Sequence, residues 1–172
     1  MFIGVKKRSV LFSIKPKWVL PILQKRKTIE VRTTKCKIEP NFRAFIYCTL
    51  DPLDPWWECG LNSYARGKCE TYPALNLNGK IVGHCTCSQI QDFVWDEANH
   101  RYDIDETTLA KTGLTQEELF AYGKGKTLYG YHLESVMPYG CLAPITSAYK
   151  IVDKEKVYLK RPPQSWTYID GV

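Results

Sequence analysis

QKRKTIEVR, residues 24–32, is a basic run that turns within two residues into an alternating segment. In an extended chain Thr28, Glu30 and Arg32 share one face, and Ile29 and Val31 share the other. If the apolar face meets a core, a carboxylate and a guanidinium lie side by side on the opposite face, just past a cluster of cations. The plain reading is an exposed ion pair worth under ~1 kcal/mol. The sharper one is a cleft wall, in which Glu30 orients Arg32 and Lys27 and leaves donors for an anionic ligand.

Upstream, SVLFSI (9–14) is rich in β-formers and reads as a strand. Pro16 suits a first helical position. Trp18, Val19, Ile22 and Leu23 recur at helical spacing, which predicts a helix over 16–25 with Pro21 inside it, Trp18 on its core face and Lys25, Arg26 and Lys27 at its end, where cations complement the dipole. Lys15 stands beside this helix, either in the cleft or at its surface.

Downstream, RAFIYCT (43–49) is a further strand. Residues 50–78 read as an insertion, with Trp56 and Trp57 as base-stacking or core-plugging candidates. The Asn78–Gly79 turn introduces a long strand over 80–90, and 91–104 continue it or form a hairpin. Two short helices follow, over 105–111 and 115–122. The second opens on a Thr115/Glu118 capping box and stops at Gly123. GKGKT (123–127) lacks the full phosphate-loop spacing and precedes a strand, so it reads as a turn. Residues 128–137 form a strand, in which His132 is the partner of a neighbouring strand or an acid/base group. An extended piece covers 144–152. A rigid Arg161-Pro162-Pro163 elbow leads to a last strand over 165–169, holding Arg161 or Gln164 in place. This order predicts α+β: a mainly antiparallel barrel of about five to seven strands flanked by short helices.

A length of 172 residues, 44% hydrophobic and 24% charged, fits a single domain over 1–172. The net charge of +6 permits a polyanionic partner without requiring one. Seven cysteines, an odd number in a chain of this size, argue against a disulfide framework. Cys85 and Cys87 share one strand face. Buried thiols are expected there, with no metal and no cofactor. Reduced cysteines point to the cytoplasm. MFIGVKKRSVLFSIKP lacks the order of a signal peptide, and no run of ~20 apolar residues would span a membrane.

SIKPKWVLPILQKRKTIEVR resembles the opening of an ASCH domain, a branch of the PUA-like β-barrel superfamily, whose signature is GxKxxExR. Lys27, Glu30 and Arg32 stand at its K, E and R. Lys25 replaces its glycine, a departure expected to alter the helix–strand turn. NGKIVGHCTC and YGKGKTLYGYHLESV resemble later elements, and RPPQSW resembles the ending of the longer form found in bacteria and their phages. The resemblance covers most of 9–50 and 79–170.

It implies a PUA-like barrel with a cleft near the motif that binds RNA or modified nucleosides, DNA being possible. Lys27, Glu30 and Arg32 are the ligand-binding residues it implies, and Lys15, Arg161 and Gln164 join them from their places beside the first helix and in the proline elbow. Some small ASCH proteins are amidohydrolases on N4-acetylcytidine. Lys27 matches their lysine, whereas Glu30 stands at their threonine, so the resemblance supports the fold more than that reaction. Were the protein such an enzyme, or a ribonuclease, Lys27 would be base or electrostatic stabiliser and Glu30 the proton shuttle. A third reading is a phage accessory factor that binds another protein through its insertion.

Overall fold

The computed structural model describes residues 8–50 and 77–172. Its centre is a six-stranded sheet curled into a half-barrel. The strands are β1 (Ser9–Ile14), β2 (Ile29–Arg32), β3 (Phe42–Cys48), β4 (Lys80–Phe93), β7 (Leu128–Pro144) and β10 (Trp166–Ile169). They lie in the order β10-β1-β3-β4-β7-β2. All neighbours are antiparallel except β1 and β3. Helix α1 (Pro16–Leu23) and β2 lie between those two in sequence, so the crossover supplies the parallel pair. Two small hairpins join the body: β5 (Trp95–Asp96) with β6 (Arg101–Tyr102), and β8 (Tyr149–Val152) with β9 (Glu155–Tyr158). Helices α2 (Glu106–Thr112) and α3 (Gln116–Gly123) follow β6.

Both faces of β1 are covered, which is why its sequence is nearly continuous in apolar residues. Val10, Phe12 and Ile14 enter the main core inside the curl, with Ile22 of α1 and Tyr131 of β7. Leu11 packs the other way, against Phe45, Ile81 and Ile169. In β2 the alternation holds: Ile29 and Val31 pack with Phe93, Tyr102 and Leu119 beneath α3, while Glu30 and Arg32 face away.

The structure refines several expectations. Strand β9 has four exposed residues and no core periodicity, and sequence reading missed it. Helix α3 has the expected capping box, but Gly123 does not cap it. Lys124 takes the left-handed conformation (φ 51°), and Gly123 is the last helical residue, where a Cβ would run into the Tyr102 hydroxyl and Leu128. The Trp56 and Trp57 readings lie outside the described residues. Cys48 and Lys80 are register partners, so the chain leaves the sheet after β3 and returns beside the same place.

The turn after α1 closes without glycine. Lys25 sits at φ 60°, its N–H donates to Ile22 O at 2.9 Å, and the Arg26 N–H donates to Pro21 O at 2.8 Å. This is a Schellman end, with lysine in the left-handed position that glycine favours. A side chain there costs about 1 kcal/mol. Lys25→Gly is therefore expected to raise stability by roughly 0.5–1 kcal/mol, read as a higher urea midpoint at unchanged m-value. A lower midpoint would show that the lysine contributes something the backbone does not reveal.

Candidate functional site

The Schellman turn delivers Lys27 inward. It is no dipole-compensating cation of α1, as its position in sequence implied; only 3% of it is exposed. Its Nζ donates to Ile29 O at 2.8 Å and to Thr112 O at 2.6 Å, so it caps the end of α2. The same ammonium lies 3.4 Å from Glu30 Oε2 and 5.3 Å from the centre of the Trp18 ring. Burial lowers the Lys27 pKa, opposed by the Glu30 charge.

Glu30 and Arg32 are buried too, at 6% and 7% exposure, against the plain reading of a surface pair. Arg32 Nη2 lies 3.0 Å from Glu30 Oε1 and donates to Ser13 O at 2.7 Å. Its guanidinium carbon lies 5.5 Å from the Phe12 ring centre. Glu30 thus stands between two cations, and both cations also bind backbone carbonyls. Three buried side-chain atoms here make no hydrogen bond among the described residues: Glu30 Oε2, Arg32 Nε and Ser165 Oγ.

All three belong to residues lining one cavity of about 690 Å³. That volume lies within the ~300–1,000 Å³ common for small-molecule sites. It is lined by Lys15, Lys17 and Trp18 of α1 and its entry, by Glu118 and Tyr122 of α3, and by Gln164 and Ser165. The elbow is anchored there, because Ser13 Oγ donates to Pro163 O at 2.6 Å and Ser13 N to Ser165 O at 2.9 Å.

Of the residues singled out from sequence, Lys15, Lys27, Glu30, Arg32 and Gln164 line the cavity, whereas Arg161 is exposed and does not. Trp18 does two jobs: it packs against the core and lines the cavity beneath the ammoniums of Lys17 and Lys27. Sequence reading missed Lys17, Glu118, Tyr122 and Ser165. The four-residue spacing of Glu118 and Tyr122, which puts them on one face of a capped helix, was the available signal.

The remaining candidates sit elsewhere. His132 Nε2 lies 3.1 Å from Gln91 Oε1 on neighbouring β4, and burial lowers its pKa. Cys85 and Cys87 are buried in the main core, and burial pushes both thiols up to about 12. A second hollow, of about 760 Å³, is lined by Arg43, Tyr139, Cys141 and Asp170 among others. None of its charged residues is buried, and none of the orphaned atoms reaches it.

No family model and no curated protein matches the chain. Among solved structures it is similar to an ASCH protein from Zymomonas mobilis, with a TM-score of 0.55 and 15% identity over 95% of this chain and 87% of that one. A tyrosine-to-phenylalanine variant of that protein gives 0.54 and 15%, covering 93% and 88%. A serine-to-alanine variant gives 0.55 and 12%, covering 95% and 89%. At such identities the likeness speaks for the fold alone. Together with the curled six-stranded sheet, it establishes that this chain has the fold of that ASCH protein, of the α+β class.

Proposed function

We propose that the cleft binds a nucleobase, carried by single-stranded RNA or presented as a modified nucleoside. The observation that carries this reading is the trio of buried polar atoms in one cavity that make no hydrogen bond among the described residues. Buried polar atoms in native proteins nearly always find partners, so three in one cavity point to a ligand, although Glu30 Oε2 also has the Lys27 ammonium 3.4 Å away as an ion-pair partner. Glu30 Oε2 accepts from an amino or ring N–H. Arg32 Nε donates to a carbonyl or ring nitrogen. Ser165 Oγ does either. A base edge offers this alternation of donors and acceptors, whereas a bare phosphate offers acceptors alone and would be repelled by Glu30.

Trp18 already carries two ammoniums, so Tyr122, 44% exposed on the cavity wall, is the aromatic left for a base to stack on. Lys15 and Lys17 at the mouth are placed for the sugar-phosphate. Lys27 donates to two carbonyls and its charge is paired with Glu30, an arrangement for holding the site together rather than for taking a proton. Binding is accordingly favoured over turnover.

The test is calorimetric titration of a nucleoside panel, including acetylated and methylated bases. At least one is expected to bind saturably. Glu30→Gln should weaken it about 10–100-fold, the worth of a hydrogen bond to a charged group. Ser165→Ala deletes a hydroxyl that makes no hydrogen bond among the described residues, so it should leave the melting temperature unchanged and still weaken binding severalfold. Absence of saturable binding across the panel, or equal affinity in both variants, would remove the reading.

A further inference from the structure

The β8–β9 hairpin has no part in the cleft, and it is unusual in three respects. Its charge is one-sided: residues 150–161 hold Lys150, Lys154, Lys156, Lys160 and Arg161 against Asp153 and Glu155. Its large apolar side chains are in solvent, with Ile151, Val152, Val157 and Tyr158 all between 42% and 51% exposed. Its turn is strained, since Asp153 and Lys154 have φ of 50° and 70°. That is the signature of a type I′ turn, which asparagine and glycine ordinarily occupy. Here it holds a lysine at the tip.

Two of the five cations are already engaged. Lys150 Nζ donates to Thr167 Oγ1 at 2.9 Å, and Lys156 Nζ lies 4.4 Å from the Tyr149 ring centre. Lys154, Lys160 and Arg161 form no ion pair among the described residues. The outer edge of β9 pairs with no described strand. Lysines on such an edge discourage strand addition, but that need does not account for cations that continue beyond the strand, and Tyr158, whose ring meets Tyr149 edge-on at 5.8 Å, still leaves half its surface exposed. From Tyr158 the chain reaches cavity-lining Gln164 in six residues, a span of no more than about 20 Å.

We infer that this hairpin is a second contact surface for single-stranded RNA, gripping the phosphates of nucleotides that flank the base held in the cleft. The choice of RNA as the polyanion rests on the nucleobase reading of the cleft. Lys154, Lys160 and Arg161 grip phosphates, and Tyr158 offers a ring for a flanking base. This gives Arg161 a binding role outside the cavity. Cations interleaved with an aromatic are the pattern by which single strands are held without sequence preference.

The experiment compares two probes, a nucleoside from the panel and a 12-nucleotide RNA carrying the same base, across a salt series. The variant is the triple Lys154→Gln/Lys160→Gln/Arg161→Gln, with Lys160→Gln/Arg161→Gln as the milder form that leaves the turn intact. Nucleoside affinity should be unchanged in both. RNA affinity at low salt should fall at least about tenfold in the triple variant, and its log–log salt slope should shrink by about 2, near 0.7 for each phosphate no longer neutralised. Unchanged RNA affinity and slope in a variant that still binds nucleoside would overturn the inference and leave the cleft standing. So would cosedimentation of the wild type with anionic vesicles, or strand-edge dimerisation, in place of RNA binding. RNA binding that follows the hairpin cations while no nucleoside binds would support the surface and remove the cleft reading.

Discussion

Lys27→Met is expected to lower stability by about 3–5 kcal/mol, measured by urea unfolding at neutral pH. The substitution nearly conserves volume, so little of the loss comes from a cavity. It comes from three groups abandoned together: the Thr112 carbonyl ending α2, the Ile29 carbonyl in β2, and a buried carboxylate that keeps Arg32 alone. Removing one partner of a buried ion pair typically costs that much, because the remaining charge stays desolvated. A double-mutant cycle with Glu30→Gln isolates the coupling, expected above ~1 kcal/mol for groups in direct contact. Additive losses would mean that Lys27 acts only as a cap on α2. Losses under ~1 kcal/mol would mean that the ammonium escapes to solvent and the buried cluster is not maintained.

The second large effect is alkaline unfolding. Cys85 and Cys87 hold their protons to about pH 12 in the fold, whereas thiols in an unfolded chain ionise near ~8.5. Between those values the folded state binds more protons than the unfolded state, so stability falls as pH rises. Each thiol contributes a slope of about 1.4 kcal/mol per pH unit. Two such slopes exhaust an ordinary domain's ~5–15 kcal/mol within a few units. Burial raises the Tyr131 hydroxyl as well, in the same direction. Lys27 works the other way. Its folded pKa lies below 10.5, so between that value and 10.5 the unfolded chain binds more protons and its contribution improves with pH. One such group offsets only part of the thiol slope. Urea midpoints under reducing conditions should therefore drop steeply above pH 9. Cys85→Ala/Cys87→Ala should start lower at pH 8 but decline much more gently. An equally steep decline in that variant would show that other groups drive the transition.

Much of the fold was legible because it is locally encoded. Alternation in β2, helical spacing around Trp18 and Ile22, and the Thr115/Glu118 box each involve residues within a few positions of one another. The direction of Lys27 was not legible, since it is fixed by a carbonyl 85 residues away in sequence. Gly123 was read as a cap from its position at a helix end, but its reason is the approach of Tyr102 from another element. Strand β9 was invisible because a strand exposed on both sides has no period to detect. The K, E and R of the motif located one wall of the cleft; the wall from α3 needed the tertiary fold.

The two edge strands of the curled sheet, β10 and β2, do not pair with each other. Across the gap Trp166 Nε1 donates to Thr34 Oγ1, and Lys37 N donates to the Tyr168 hydroxyl. Among the described residues the half-barrel is thus held along this seam by isolated fasteners rather than a continuous rail, each worth about 1 kcal/mol. Under load or brief fluctuation this weld is expected to part before any backbone ladder does.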